Sequence, residues 1–220
     1  GEGCAAVRGA ALASLVATSQ MTKLGPEGLI PLFHDVELPL VTVLADMEHI
    51  GVALDTHRLG EIAARVRDRL DELRDQIWEL AGERFVIDSP KQLGHVLFEV
   101  LGLPTFRKGK TGWSTDRNVL RLLEGRHPII TLLGEYRELT KLDSTYLAAL
   151  PALVDEDSRL HTTFNQTVAE TGRLSSVNPN LQNIPVRTPL GREIRDAFVA
   201  REGCKLASFD YSQVELRILA

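Results

Sequence analysis

Ser208-Phe209-Asp210-Tyr211-Ser212-Gln213-Val214-Glu215-Leu216-Arg217 is the stretch from which the rest of the chain is read. The run Cys204 to Phe209 predicts a short buried strand that delivers Asp210 to its end. Ser212 then opens a helix, with Glu215 at the three-residue spacing of a capping box. A carboxylate at a strand end beside a new helix suits a hard cation, since Mg2+ takes oxygen ligands, commonly carboxylates with substrate phosphates. On spacing alone the plainer reading is preferred: a solvated turn aspartate and a glutamate that only caps its own helix.

The longer string changes that balance. Asp210-Tyr211-Ser212-Gln213-Val214-Glu215-Leu216-Arg217 resembles the first palm motif of the family A DNA polymerases, the group of bacterial DNA polymerase I. Upstream, Thr171-Gly172-Arg173-Leu174-Ser175-Ser176 and Pro179-Asn180-Leu181-Gln182-Asn183-Ile184-Pro185 resemble a second motif of that family, in the same order. A looser likeness reaches back to about Glu37.

Composition is that of a globular protein: 220 residues, 44% hydrophobic and 25% charged, enough for one or two cores. The chain lacks an initiator Met and stops a few residues into an amphipathic helix, so it reads as a fragment. Cys4 and Cys204 form neither a disulfide pattern nor a metal spacing, which suits a reducing cytosol. No apolar run approaches the roughly 20 residues that span a membrane. The net charge of −5 argues against a DNA binder until its distribution is followed. Pro104 to Arg126 holds six basic and two acidic residues, a local +4, whereas Ala53 to Pro90 is −3. Screening acts over about 8 Å at physiological salt, so a phosphate senses the local patch.

Two long amphipathic helices dominate the middle. Asp55 or Thr56 caps the first, Leu59, Ile62, Val66, Leu70, Leu73, Ile77 and Leu80 form its apolar stripe, and Gly82 ends it. Pro128 starts the second and Pro151 stops it, with Ile129, Leu133, Tyr136, Leu139, Leu142, Tyr146 and Leu150 as its stripe. The two predict an antiparallel pair, which without the motifs is simply a helical hairpin. Between them Ser89-Pro90 and Ser114-Thr115-Asp116 cap two short helices, separated by the basic loop 105–112, whose Gly and Lys spacing excludes a P-loop. Another helical pattern runs from Pro31 to Gly51, and Leu160 to Val168 alternates as a strand does.

The resemblance implies a fold that is mainly α with a small β part (α+β): a long antiparallel helix pair as thumb, then the start of a polymerase palm. Residues 1–25 would be the tail of a preceding exonuclease-like domain, 26–51 the opening helix of the polymerase domain, 52–155 the thumb and 156–220 the beginning of the palm. It implies a DNA-directed DNA polymerase, a nucleotidyltransferase of replication and repair, with half of its two-metal site in this chain. Asp210 and the carbonyl of Tyr211 would hold Mg2+. Ser212 and Gln213 would line the nucleotide site, and Glu215 would lie under the sugar of the incoming deoxynucleoside triphosphate. Arg173 would reach the minor groove at the primer end, where every correct pair offers an acceptor. Asn180, Gln182 and Asn183 would add amides there, and Arg187 would meet a primer phosphate. Arg107, Lys108 and Lys110 at the thumb tip, with Arg137, Lys141, Ser144 and Thr145 on the second long helix, would touch duplex phosphates. Asp143 departs from the basic residue of many relatives and puts one phosphate contact in doubt. Primer–template DNA is the implied partner, with no membrane, and a cytoplasmic monomer is expected. The alternatives are a single-subunit RNA polymerase relative, against which Glu215 argues because a ribose needs room, and a non-catalytic helical binding module.

Overall fold

The computed structural model describes residues 2–109 and 112–220, with side chains from Val7 onward, and divides into two compact units. The first comprises residues up to 51 together with 161–182. It opens with the helix Glu2–Leu24. Helical backbone then runs from Ile30 to Ile50, with a wide π turn at Phe33–Glu37. That turn lies directly before Pro39, which has no N–H and whose ring would clash with a carbonyl four residues back, so the widened turn lets the helix continue. Gly51, at φ 62°, ends it.

A hairpin of Thr163–Asn165 and Ser175–Val177 is tied to this helix by polar bonds. The Phe164 N–H donates to the Glu48 carboxylate at 2.6 Å, His161 Nδ1 donates to the Glu48 carbonyl at 2.7 Å, and the Gln166 amide donates to the Glu37 carboxylate at 2.9 Å. The strand expected from 160 to 168 is therefore two short strands in separate sheets. His161 and Thr162 break the alternation because both side chains are spent on non-local hydrogen bonds.

The second unit comprises 52–160 and 183–220. Val52–Leu54 is the middle of a three-stranded antiparallel sheet, pairing Arg159–Leu160 on one side and Phe198–Val199 on the other. The first long helix, Thr56–Ala81, follows at once. Asp55 caps it by accepting from the Arg58 N–H at 2.9 Å, and Gly82 in the left-handed region closes it. The second, Pro128–Leu142, continues through a π turn at Asp143–Leu147 to a 3-10 turn at Leu150–Ala152 that contains Pro151.

The two long helices run antiparallel. Arg69 forks onto Glu135 at 2.8 and 3.1 Å while Arg67 lies 3.4 Å from Asp143, so numbers fall on one helix as they rise on the other. Leu73, Ile77, Ile129 and Leu133 are fully buried in the seam. Leu70 and Leu80 of the expected stripe are half-buried at its margin. This is the predicted α+β arrangement, and the connecting segment supplies the rest of its core through Leu93, Val96, Leu97, Val119 and Leu123. Burial of such side chains, at about 1.5–3 kcal/mol each, is what holds two otherwise polar helices together.

The end of the chain departs from expectation. Residues 204–210 form no strand, and every residue from 201 to 220 is exposed. No described strand pairs with this segment, and an extended chain without a neighbour keeps its N–H and C=O groups in water rather than in a ladder. The helix start is also displaced from the expected Ser212: its N-cap position is Gln213. The helix Val214–Leu219 begins after Gln213, which sits at φ 55° and caps nothing with its side chain. Arg217 instead bonds back to the Ser212 carbonyl at 2.8 Å. Among the described residues no helix is long and apolar enough to cross a membrane.

Candidate nucleic-acid interface

In the second unit, the basic loop expected at 105–112 is organised as a hairpin. Lys108–Gly109 pairs antiparallel with Gly112–Trp113, and the Lys108 ammonium lies 5.7 Å from the centre of the Trp113 ring. Lys110, expected to contact DNA, lies outside the described residues. The base of the hairpin is closed by the Ser114 N–H, which donates to the Arg107 carbonyl at 2.8 Å.

Asp116 then caps the helix Arg117–Leu122, accepting from the Val119 N–H at 3.0 Å and from the Ser114 hydroxyl at 2.8 Å. These bonds, the Val119 N–H foremost, with the Arg107 guanidinium 3.8 Å away, hold its carboxyl below the ordinary range. Arg107 and Lys108 are exposed, so the hairpin presents cationic groups on a backbone whose small residues allow close approach to a strand of phosphates.

On the second long helix and the turn that continues it, Lys141, Ser144 and Thr145 are exposed, and the two hydroxyl residues follow Lys141 by three and four positions, on its side of the helix. Arg137 is on that periodicity but behaves differently. Its guanidinium turns inward, half-buried, and donates to the Thr115 carbonyl at 2.5 Å. Burial pushes its pKa down, against the pull of Asp88 and Asp116. Asp143 is also turned inward, toward Arg67, so it does not stand as an acidic patch beside Lys141.

Further on, Asn183 and Arg187 are exposed. The Asn183 carbonyl accepts from the buried Tyr146 hydroxyl, whose own pKa is raised by burial. Asp210 and Tyr211 stand in open chain, Tyr211 at 85% exposure. Ser212, Gln213 and Glu215 follow, also exposed. The oxygens on offer to a cation here are the Asp210 carboxylate and the Tyr211 carbonyl, a hard donor pair that fits Mg2+ in kind but is incomplete in number. Among the described residues no three His, Cys, Asp or Glu side chains gather as a metal site.

In the first unit, the Arg173–Gln182 stretch is built around a buried hydroxyl pair. Thr162 and Ser176 hydroxyls lie 2.6 Å apart, and the Ser176 hydroxyl also accepts from the Leu181 N–H at 3.1 Å. Both residues are buried, Ser176 completely. Around that anchor the turn folds back so that the Gln182 amide donates to the Leu174 carbonyl at 2.9 Å and the Gln182 N–H donates to Asn180 Oδ1 at 3.0 Å. Asn180, Gln182 and Arg173 are thereby gathered on one exposed loop. Sequence reasoning missed the Thr162–Ser176 pair. Its only signal was two hydroxyl residues in otherwise half-buried strands, and their pairing spans 14 residues.

A family model described as DNA polymerase family A matches residues 56–220. The chain is similar to the thermostable DNA polymerase I of Thermus thermophilus, 53% identical over 199 residues, which is 89% of this chain and 24% of that protein. It is 48% identical to DNA polymerase I of Bacillus subtilis over 193 residues, 87% of this chain and 22% of that protein. Among solved structures it resembles the POL domain of Pol1 from M. smegmatis, in complex with DNA primer-template and dNTP. There the TM-score is 0.81 with 42% identity, covering 90% of this chain and 35% of that one. The chain thus spans about a quarter of the length of the curated relatives it matches.

Proposed function

Because the chain belongs to the DNA polymerase family A, we propose that it serves template-directed DNA synthesis, gripping primer–template DNA and contributing part of the nucleotidyl-transfer site. The observation that carries this reading is the match through both motifs, from Arg173 to Glu215, joined to the exposed placement of their polar side chains. The Lys108–Trp113 hairpin, with Lys141, Ser144 and Thr145, contacts phosphates and so orients the duplex without reading its sequence. The loop held by Thr162 and Ser176 offers Arg173, Asn180 and Gln182 as donors to minor-groove acceptors that every correct base pair shares. In the second unit, Asn183 and Arg187 are exposed polar groups suited to a primer strand.

The domain reading remains part of the proposal: 1–25 as an exonuclease-like tail, 26–51 as the opening helix, 52–155 as thumb and 156–220 as palm. Asp210 and the Tyr211 carbonyl are the groups that would hold a divalent cation, Mg2+ by the hardness of their oxygens. When bound, that ion neutralises charge on the transferring phosphoryl group. Asp210 supplies the counter-charge and Glu215 crowds the 2′ position of the incoming sugar. The protein acts as a monomer in the cytoplasm.

Two measurements test this. Labelled primer–template DNA should bind the chain, with affinity falling as salt rises. A chimera carrying residues 1–220 in place of the matching part of the Thermus thermophilus relative should extend a primer, and Asp210→Asn should abolish extension while leaving duplex affinity within a few-fold. Salt-independent or absent binding, or extension by the Asn variant, overturns the reading.

A further inference from the structure

Arg137 lies on the second long helix among residues expected to meet phosphate, yet its side chain is committed elsewhere. Nη1 donates to the Thr115 carbonyl at 2.5 Å and Nη2 reaches the Thr115 hydroxyl at 3.4 Å. Thr115 is itself buried, at 5% exposure. Its neighbours bind in other directions. Ser114 closes the hairpin onto Arg107 through its N–H, and the Ser114 hydroxyl joins Asp116, which caps the next helix. Residues 114–116 are thus a junction of three elements, and Arg137 bonds that junction to the long helix.

We propose that Arg137 is a positioning residue that fixes the base of the Lys108–Trp113 hairpin to the second long helix and so sets the pose in which the hairpin meets a duplex. The consequence for duplex binding rests on the function proposed above; the positioning itself does not. The bonds to Thr115 engage both terminal nitrogens, so the end-on fork of the guanidinium is directed into the protein rather than toward a phosphate. A lysine in this place keeps the charge and the stem but has no planar fork, and so does not reproduce the paired bonds.

The hairpin carries its own reporter. The chain has two tryptophans, Trp78 and Trp113, and a Trp78→Phe background leaves Trp113, at 39% exposure on the hairpin, as the lone indole. In that background Arg137→Lys and Arg137→Ala should each red-shift Trp113 emission and steepen its quenching by acrylamide, with the helical circular dichroism retained. Labelled primer–template affinity should fall several-fold in both, and lysine should not rescue it.

Unchanged Trp113 emission and quenching in both variants overturns the proposal. So does full rescue of affinity by lysine, with alanine lowering the slope of log K against log salt by about 0.9, the mark of one lost phosphate contact. Should the alanine variant lose its helical signal, the lysine variant decides alone, because it retains charge and stem. Failure of the unsubstituted chain to bind DNA overturns the duplex-binding reading, while the fluorescence comparison still decides the role of Arg137.

Discussion

The backbone of Gly191 lies directly against Pro185: a methyl group at position 191 would stand 2.5 Å from Pro185 Cβ and 2.8 Å from its carbonyl oxygen. Gly191 belongs to the helix Pro189–Arg195, and Pro185 closes the string that begins at Pro179. Their contact turns the chain from Asn183–Arg187 back onto that helix. The helix is in turn anchored to the first long helix by ion pairs of Arg65 with Glu193 and of Arg58 with Asp196. Gly191→Ala forces this turn open. Overpacking of this kind costs about 1–3 kcal/mol, which thermal melting will read as a lowered transition. An unchanged transition would mean that the turn yields freely.

Tyr146 holds the same segment from the other side. Its hydroxyl donates to the Asn183 carbonyl, and burial keeps the phenol neutral and able to donate well above its usual range. Tyr146→Phe removes the donor and keeps the ring. A loss of about 1 kcal/mol in urea unfolding is expected, with an unchanged slope. Equal stability of the two proteins would assign the tyrosine to packing alone.

Leu73 is fully buried in the seam of the long helices. Leu73→Ala leaves a cavity in that seam, and a cost of about 2–5 kcal/mol follows. Because the short helices that flank the hairpin share a core with Ile77, Ile129 and Leu133 of the long pair, Trp113 fluorescence should unfold together with far-UV dichroism. A substitution that costs less than about 1 kcal/mol would show that the seam collapses around the gap.

Asp116 makes the helix after the hairpin sensitive to acid. Its carboxyl is held below the ordinary range when folded, so the unfolded chain binds the proton more readily. The stability it contributes is complete above the usual aspartate range, about pH 4, and is lost as pH falls through the depressed folded value. Asn caps equally well but does not titrate there, so Asp116→Asn isolates the effect. The parent should be the more stable at neutral pH, and the difference should vanish in acid. A difference that stays constant down to about pH 2 would place the stabilisation elsewhere.

Much of the local structure was legible in residue types and spacing because it is governed by neighbours a few positions away. Asp55, Ser89 and Asp116 stop N-terminal amides from going unpaired, Pro128 needs no amide, and Gly82 tolerates the left-handed turn; each acts within one helical turn. The period of the apolar stripes likewise announced two long helices that must find each other. Short-range pattern failed at Cys204–Phe209, where strand formation depends on a neighbouring strand that no described residue supplies, and at Ser212, where the helix takes Gln213 rather than the serine as its N-cap. The family strings pointed to Arg173, Asn180, Gln182 and Asp210 as polar groups for a ligand.

Only the tertiary structure could decide what the other polar groups do. Arg137 and Lys141 sit one helical turn apart and read alike, yet one guanidinium is drawn in by Thr115, 22 residues away, while the lysine stays outside. Asp143 turns from a misplaced surface charge into a partner for Arg67, and Thr162 and Ser176 become the anchor of a loop. A buried polar atom takes whichever partner the fold brings within about 3 Å, and that partner is set by packing between distant segments rather than by spacing along the chain.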